Sequence, residues 1–196
     1  MTRGMARVLA CALAASLILF PSAAFAMTVE EAYAVMQHRH AELDVKSLGR
    51  PPAETAFLER LFRLIDLTIV EKVGTTLWFD SEGKKGIPFG RSKGRIDALI
   101  ADLQALPAPA HLEEIRGLVV AAVTDQRTYF QSFQDSLDGR QPGGDEPEAF
   151  RSRARLVKSS SGKLHAAYNR LLAVYPGIGQ RNFDAFYDHL CVLDLL

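Results

Sequence analysis

Cysteine is nearly absent from this 196-residue chain, which holds only Cys11 and Cys191. If residues 1–26 leave as an export signal, Cys191 stands alone and no internal disulfide can staple the domain. Among Leu190, Val192 and Leu193, a free thiol is expected to pack as a small hydrophobe; the alternative is a disulfide to another molecule. Long apolar runs are missing too. The longest, Val8 to Phe20, spans 13 residues, short of the roughly 20 that a membrane-spanning helix needs, so no transmembrane span is expected in the mature chain. Neither charge dominates: from Met27 onward there are 21 basic and 23 acidic residues, net −2, which argues against a nucleic-acid partner.

Motifs of known chemistry are equally scarce. No Gly-x-Ser-x-Gly elbow for a nucleophilic serine occurs, no Cys-x-x-Cys-His for covalent haem attachment, and no Glu-x-x-His of the di-iron bundle type. Ser159-Ser160-Ser161-Gly162-Lys163 ends like a phosphate loop, yet it lacks the glycine six residues before the lysine and the hydroxyl residue after it. No reaction is suggested, and nothing in the composition calls for a cofactor.

The N-terminus, by contrast, carries a clear pattern. Arg3 and Arg7 precede the apolar run, and Pro21 and small residues lead to Ala24-Phe25-Ala26. This is the three-part organisation of a bacterial secretory signal, and it predicts cleavage before Met27 and a periplasmic or secreted domain over 27–196. Cys11 lies at the start of the apolar run, where lipid modification would leave most of that run attached.

The mature chain reads as all-α, a bundle of five to six helices with one irregular insertion. Thr28 and Glu31 form a capping box, starting a first helix expected to reach Lys46 along Val29, Tyr33, Met36, His40 and Leu43. Gly49-Arg50-Pro51-Pro52 breaks the chain. A second helix from Pro52 is apolar around most of its circumference and is expected to be the most buried, with Gly74 as its stop. From 75 to 94 the helical period disappears and a loop or small hairpin is predicted. A third helix runs from Ile96 to Leu106 and a fourth from Ala110 to Leu137. The 138–147 tract, rich in glycine and proline, is a turn. The fifth helix steps by four and three through Phe150, Ala154, Val157, Ser161, Leu164, Tyr168, Leu171 and Tyr175, the periodicity of bundle packing. Phe183, Phe186, Tyr187, Leu190 and Leu193 suggest a final short helix.

In such a bundle the informative residues are polar ones on apolar seams, since each must find a partner or cost roughly 1–3 kcal/mol. His40, Asp66, Gln126 and Ser161 are of this kind, and His40, Asp66 and Gln126, with His165, are the ligand-binding candidates. His38 and His40 are two apart and point away from each other on a helix, whereas His38 with Glu42, or His40 with Asp44, would share a face and supply two metal ligands; two are too few for a site. Asp188-His189 and His165 are single candidates elsewhere. Met36 and His165-Ala-Ala-Tyr168-Asn-Arg170 resemble the axial Met on the first helix and His on the last of periplasmic four-helix b-type cytochromes, which would imply haem. That resemblance covers only these positions, and the extra helix and the insertion depart from the pattern.

Two basic stretches complete the reading. Lys84, Lys85, Arg91, Lys93 and Arg95, with Trp78, Phe79 and Phe89 interleaved, give the irregular segment a net +3 against Asp80 and Glu82. Arg151, Arg155 and Lys158 line the outer face of the fifth helix. Clusters of this kind receive anionic partners. The function expected from sequence is therefore a non-enzymatic binding protein of the cell envelope, taking an envelope protein or anionic envelope component on Trp78, Lys84, Lys85, Arg91, Lys93 and Arg95. The alternative is a bundle holding a small ligand, metal or haem around Met36, His40 and His165.

Overall fold

The computed structural model describes residues 27–83, 85–139 and 147–194, and within them the fold is all-α. The six helices are α1 (Val29–Val35), α2 (Pro52–Asp80), α3 (Phe89–Ala105), α4 (Glu113–Leu137), α5 (Pro147–Val174) and α6 (Gln180–Asp194), with short 3-10 turns at Val45–Leu48 and Ala110–Leu112. Successive helices from α2 to α6 pack on one another, and α6 returns to α2, closing a ring around one apolar core; α1 lies on α2. The export signal read over 1–26 lies outside the described residues, as does most of the 138–147 turn.

The long α2 contributes the most buried residues to this core among the described helices. Phe57, Leu58, Leu61, Phe62, Ile65, Ile69 and Val73 are all buried, as its sequence implies, and Pro52 occupies the first helical position. Gly74 does not end it. The helix continues to Asp80, and the expected irregular stretch shrinks to residues 81–88, with no strand or hairpin among the described residues. Gly74 is a contact glycine. A β-carbon there would strike the Ile87 side chain, and the Ile87 N–H donates to the Gly74 carbonyl at 2.7 Å. Gly86, at φ +83°, takes the left-handed turn that brings the returning loop against this spot.

The first helix is also corrected. The capping box forms as read, with the Glu31 N–H donating to Thr28 Oγ1 and the Thr28 N–H donating to Glu31 Oε2, but α1 ends at Val35 rather than near Lys46. The Gln37 N–H donates to the Ala34 carbonyl and the His38 N–H to the Tyr33 carbonyl, the paired bonds of a Schellman cap. Gln37 fills its left-handed position at φ +56°, where glycine is usual. The chain then leaves the helix as a non-helical strap across α2 and α6, so the helical ligand pairs His38/Glu42 and His40/Asp44 do not form.

In α5 the buried residues are Arg153, Ser160, Leu164, Ala167 and Leu171. The N-terminal half of the predicted seam is therefore rotated by one position: Phe150 is exposed, and Ser160 rather than Ser161 faces inward. Arg153 is buried there because Phe133 lies under its guanidinium and Ser132 and Ser136 accept its hydrogen bonds.

Candidate metal centre

The end of α1, the strap, the middle of α2 and the second half of α6 meet at one point. α2 brings Asp66, α6 brings His189 and the strap brings His40. His40 Nε2 lies 3.5 Å from Asp66 Oδ2, and His189 Nε2 lies 3.3 Å from Asp66 Oδ1. The three side chains can each offer one ligand atom, all within 4.8 Å of one another. Burial is graded: His189 is 3% exposed, Asp66 15% and His40 24%, so the cluster opens on the His40 side. The groove there also carries Glu30, Glu42 and Asp184 with Arg39 and Arg181.

These separations are informative. They exceed the roughly 2.7–3.2 Å of an N–H···O hydrogen bond. Each is close to the spacing of two donors on a shared cation, about 3.3 Å for ligands about 2.0–2.1 Å from a tetrahedral ion, with the two imidazoles facing opposite oxygens of Asp66. The hydrogen bonds around the cluster sharpen the point. His189 Nδ1 is 2.7 Å from the Ala185 carbonyl, and a carbonyl only accepts, so Nδ1 carries the hydrogen. In the neutral ring Nε2 then turns its lone pair toward an anionic oxygen, an arrangement that is repulsive until a cation, proton or metal ion, lies between them.

The surroundings hold this geometry. The Tyr33 hydroxyl donates to Asp66 Oδ1 at 3.0 Å, fixing the carboxylate, and burial together with the Asp66 charge pushes its phenol far above the ordinary range, so it stays a donor. Its ring lies 4.7 Å from that of His40. Phe62 meets His189 edge-on at 4.9 Å and stacks on Phe186 at 5.3 Å. Such an apolar wall strengthens the attraction between a carboxylate and a cation. Metal-binding imidazoles commonly donate their second nitrogen to a carbonyl, and ligating carboxylates are commonly hydrogen-bonded in turn; Ala185 and Tyr33 provide both.

Of the ligand candidates read from sequence, His40 and Asp66 come together; Gln126 and His165 lie elsewhere. Gln126 Nε2 donates to Ser160 Oγ at 3.1 Å and to the Leu193 carbonyl at 2.6 Å. His165 is 73% exposed on α5, 3.4 Å from Asp194, and does not face the interior as an axial haem ligand would; Met36 packs at the end of α1. From the sequence His189 stands only as a single metal-ligand candidate apart from His40 and Asp66, and Tyr33 only as an apolar seam residue. His189 shares the inner arc of α6 with Ala185, Phe186, Leu190 and Leu193, so the criterion that singled out His40, a polar residue on an apolar seam, applies to it equally.

The basic loop is more committed than its sequence suggests. Arg95 donates to the buried Glu71 carboxylate at 2.7 Å, and Lys93 pairs with Asp97, which also takes Arg127. Both arginine and lysine hold the Asp97 carboxyl below the usual range, the Arg127 hydrogen bond contributing most. Trp78 is half-buried at the end of α2, Lys85 and Arg91 are exposed, and Lys84 lies outside the described residues. Among the described residues no helix is long and apolar enough to cross a membrane.

Comparison with known proteins adds no further constraint: no family model, curated protein or solved structure matches the chain.

Proposed function

We propose that this is an exported helical bundle whose biochemical role is to bind one divalent transition-metal ion through His40, Asp66 and His189. The observation that carries the reading is the His189 geometry: one ring nitrogen committed to the Ala185 carbonyl, the other 3.3 Å from a carboxylate oxygen. Two imidazoles and one carboxylate suit zinc or ferrous iron, and three protein ligands leave a position for water or an exogenous ligand. The graded burial points that position toward the His40 groove. Export is supported by Arg3, Arg7, the apolar run and Ala24-Phe25-Ala26. A binding role therefore remains, with the proposed ligand shifted from a polymer or protein on the basic loop to an ion in the bundle.

Competition with a chromophoric chelator on metal-stripped protein tests this. Zn²⁺ is expected to bind at one equivalent, and His189→Ala to weaken it at least about 100-fold, beyond the 10- to 100-fold typical of losing an outer-shell partner. Equal Zn²⁺ affinity in wild type and His189→Ala would overturn the assignment, as would the absence of binding in both, which would leave a proton as the bridging cation.

A further inference from the structure

The three ligands are not delivered alike. Asp66 and His189 stand on α2 and α6, helices packed against each other through the core. His40 alone comes from non-helical chain. That chain is anchored at both ends. Upstream, the Schellman cap closes α1 and Tyr33 is tied to Asp66. Downstream, the buried Asn182 clamps the backbone of Asp44: the Asp44 N–H donates to Asn182 Oδ1 at 2.8 Å, and Asn182 Nδ2 donates to the Asp44 carbonyl at 3.0 Å and to Ser47 Oγ at 2.9 Å.

Between the anchors the backbone is almost untied. Among the described residues the only backbone hydrogen bond over 39–43 is the Glu42 carbonyl accepting from Arg181 at 3.4 Å. The middle of the strap is held by side chains: Ala41 is buried, His38 Nε2 lies 3.5 Å from Cys191 Sγ, and His40 approaches Asp66. A stretch with few backbone bonds opens at low free-energy cost. Its start is strained as well, since Gln37 holds a left-handed conformation unfavourable to a side chain-bearing residue.

We infer that residues 37–43 form a metal-seated strap: the ion, by taking His40, fastens this segment onto α2 and α6, and departure of the ion frees it while the bundle stays folded. The inference rests on the metal reading above. A ligand that binds only the closed form lowers the open-to-closed ratio by a factor of one plus its free concentration over its dissociation constant, so seating follows free metal concentration. The protein then reports metal occupancy through the accessibility of one surface segment, which makes the site a sensor-like switch rather than a purely structural staple.

Limited trypsin digestion of the purified protein reads this directly, because Arg39 lies in the strap while Lys85, in the 81–88 loop, is an exposed internal control. Saturating Zn²⁺ is expected to slow cleavage after Arg39 by about tenfold or more, the range that mass action gives well above the dissociation constant, with less than about twofold change after Lys85. In His40→Ala, where Asp66 and His189 keep a weakened site, cleavage after Arg39 should be fast with or without the ion. Stoichiometric Zn²⁺ uptake in the chelator assay with unchanged Arg39 cleavage would overturn the strap and leave the metal site standing. No uptake at all would overturn the metal reading and the strap with it.

Discussion

Two polar clusters lie along the same contact between α2 and α6, less than two helical turns apart on α2, and they resolve their charges in opposite ways. Around Asp66 only the Tyr33 hydroxyl hydrogen-bonds to the carboxylate, and the His40 and His189 imidazoles stand 3.5 and 3.3 Å away, beyond ordinary hydrogen-bond distance. Around Lys72 the donors are met, and of this cluster's described atoms only Gln126 Oε1 is buried without a partner. Lys72 Nζ donates to the Val192 and Leu193 carbonyls at 3.1 and 2.6 Å, and Gln126 donates to Leu193 as well. These are the last carbonyls of α6, which have no partner within the helix and carry the negative end of its dipole. A fully buried lysine there is an internal C-cap. The contrast separates a polar group whose donors meet acceptors within the fold from a carboxylate flanked by two imidazoles at more than hydrogen-bond distance, the arrangement on which the metal proposal rests.

Substitutions in the two clusters should give opposite phenotypes. Lys72→Ala removes a buried stem and both caps, and should cost about 2–4 kcal/mol in urea melts, from the cavity and the orphaned carbonyls together, while Zn²⁺ affinity of the folded protein changes little. Asp66→Asn should abolish tight Zn²⁺ binding and shift metal-free stability by less than about 1 kcal/mol. Lys72 also makes a pH signature. Burial pushes its pKa down to about 7, against the upward pull of Asp194 and Cys191, whereas in the unfolded chain it stays protonated until about 10.4. Between these values the unfolded state binds the extra proton, so Lys72 makes stability rise with pH from about 7 toward 10 and contributes no slope below 7. The buried phenols of Tyr33 and Tyr175, both pushed upward by burial first, act only above their ordinary range. Loss of that alkaline rise in Lys72→Ala is the expected result; an unchanged rise would assign it elsewhere.

A finer test lies in the hydroxyl that orients the carboxylate. Tyr33→Phe keeps the buried ring and removes only the donor to Asp66, so Zn²⁺ affinity should fall about tenfold, at the low end for an outer-shell partner. Retained wild-type affinity would mean that α2 alone fixes the Asp66 rotamer.

How much of this was legible in the sequence follows from which physical signals are local. The bundle class, the capping box at Thr28, Pro52 at the start of α2 and the stop at Pro107 were readable, because periodicity, capping and proline sterics act within a few residues. The end of α1 was not. No glycine, asparagine or proline stands between Val35 and Asp44, and the cap at Gln37 is selected by what the strap gains on reaching α6, a tertiary effect that overrides local propensity. Gly74 failed in the other direction: a breaker by composition, it stays helical because Ile87 needs the space above it. Half of the candidate site was visible, since His40 and Asp66 stood out as polar residues on apolar seams. Their meeting with His189, well over a hundred residues away, depends on ring closure by α6, which no local pattern encodes. Gln126 shows the cost of the same criterion, being a seam residue whose partners are Ser160 and a helix end.

The smallest expected effect concerns the residue that starts the strap. Gln37 occupies φ +56° at the Schellman position, where a side chain costs roughly 1–2 kcal/mol relative to the ordinary helical region. Glycine removes that cost but enlarges the freedom of the unfolded chain by a term worth about 0.5–1 kcal/mol. Gln37→Gly should therefore stabilise the metal-free protein by about 0.5 kcal/mol in equilibrium urea melts, with the slope of the transition unchanged. Gln37→Val should lose stability, because a β-branched residue tolerates this conformation least. The pair is diagnostic, since both substitutions remove the same side-chain amide and only the backbone preference separates them. Equal stability of the two variants would mean that α1 does not end in the left-handed turn at 37, which would withdraw the strap's upstream anchor while leaving Asp66 and His189 facing each other on α2 and α6.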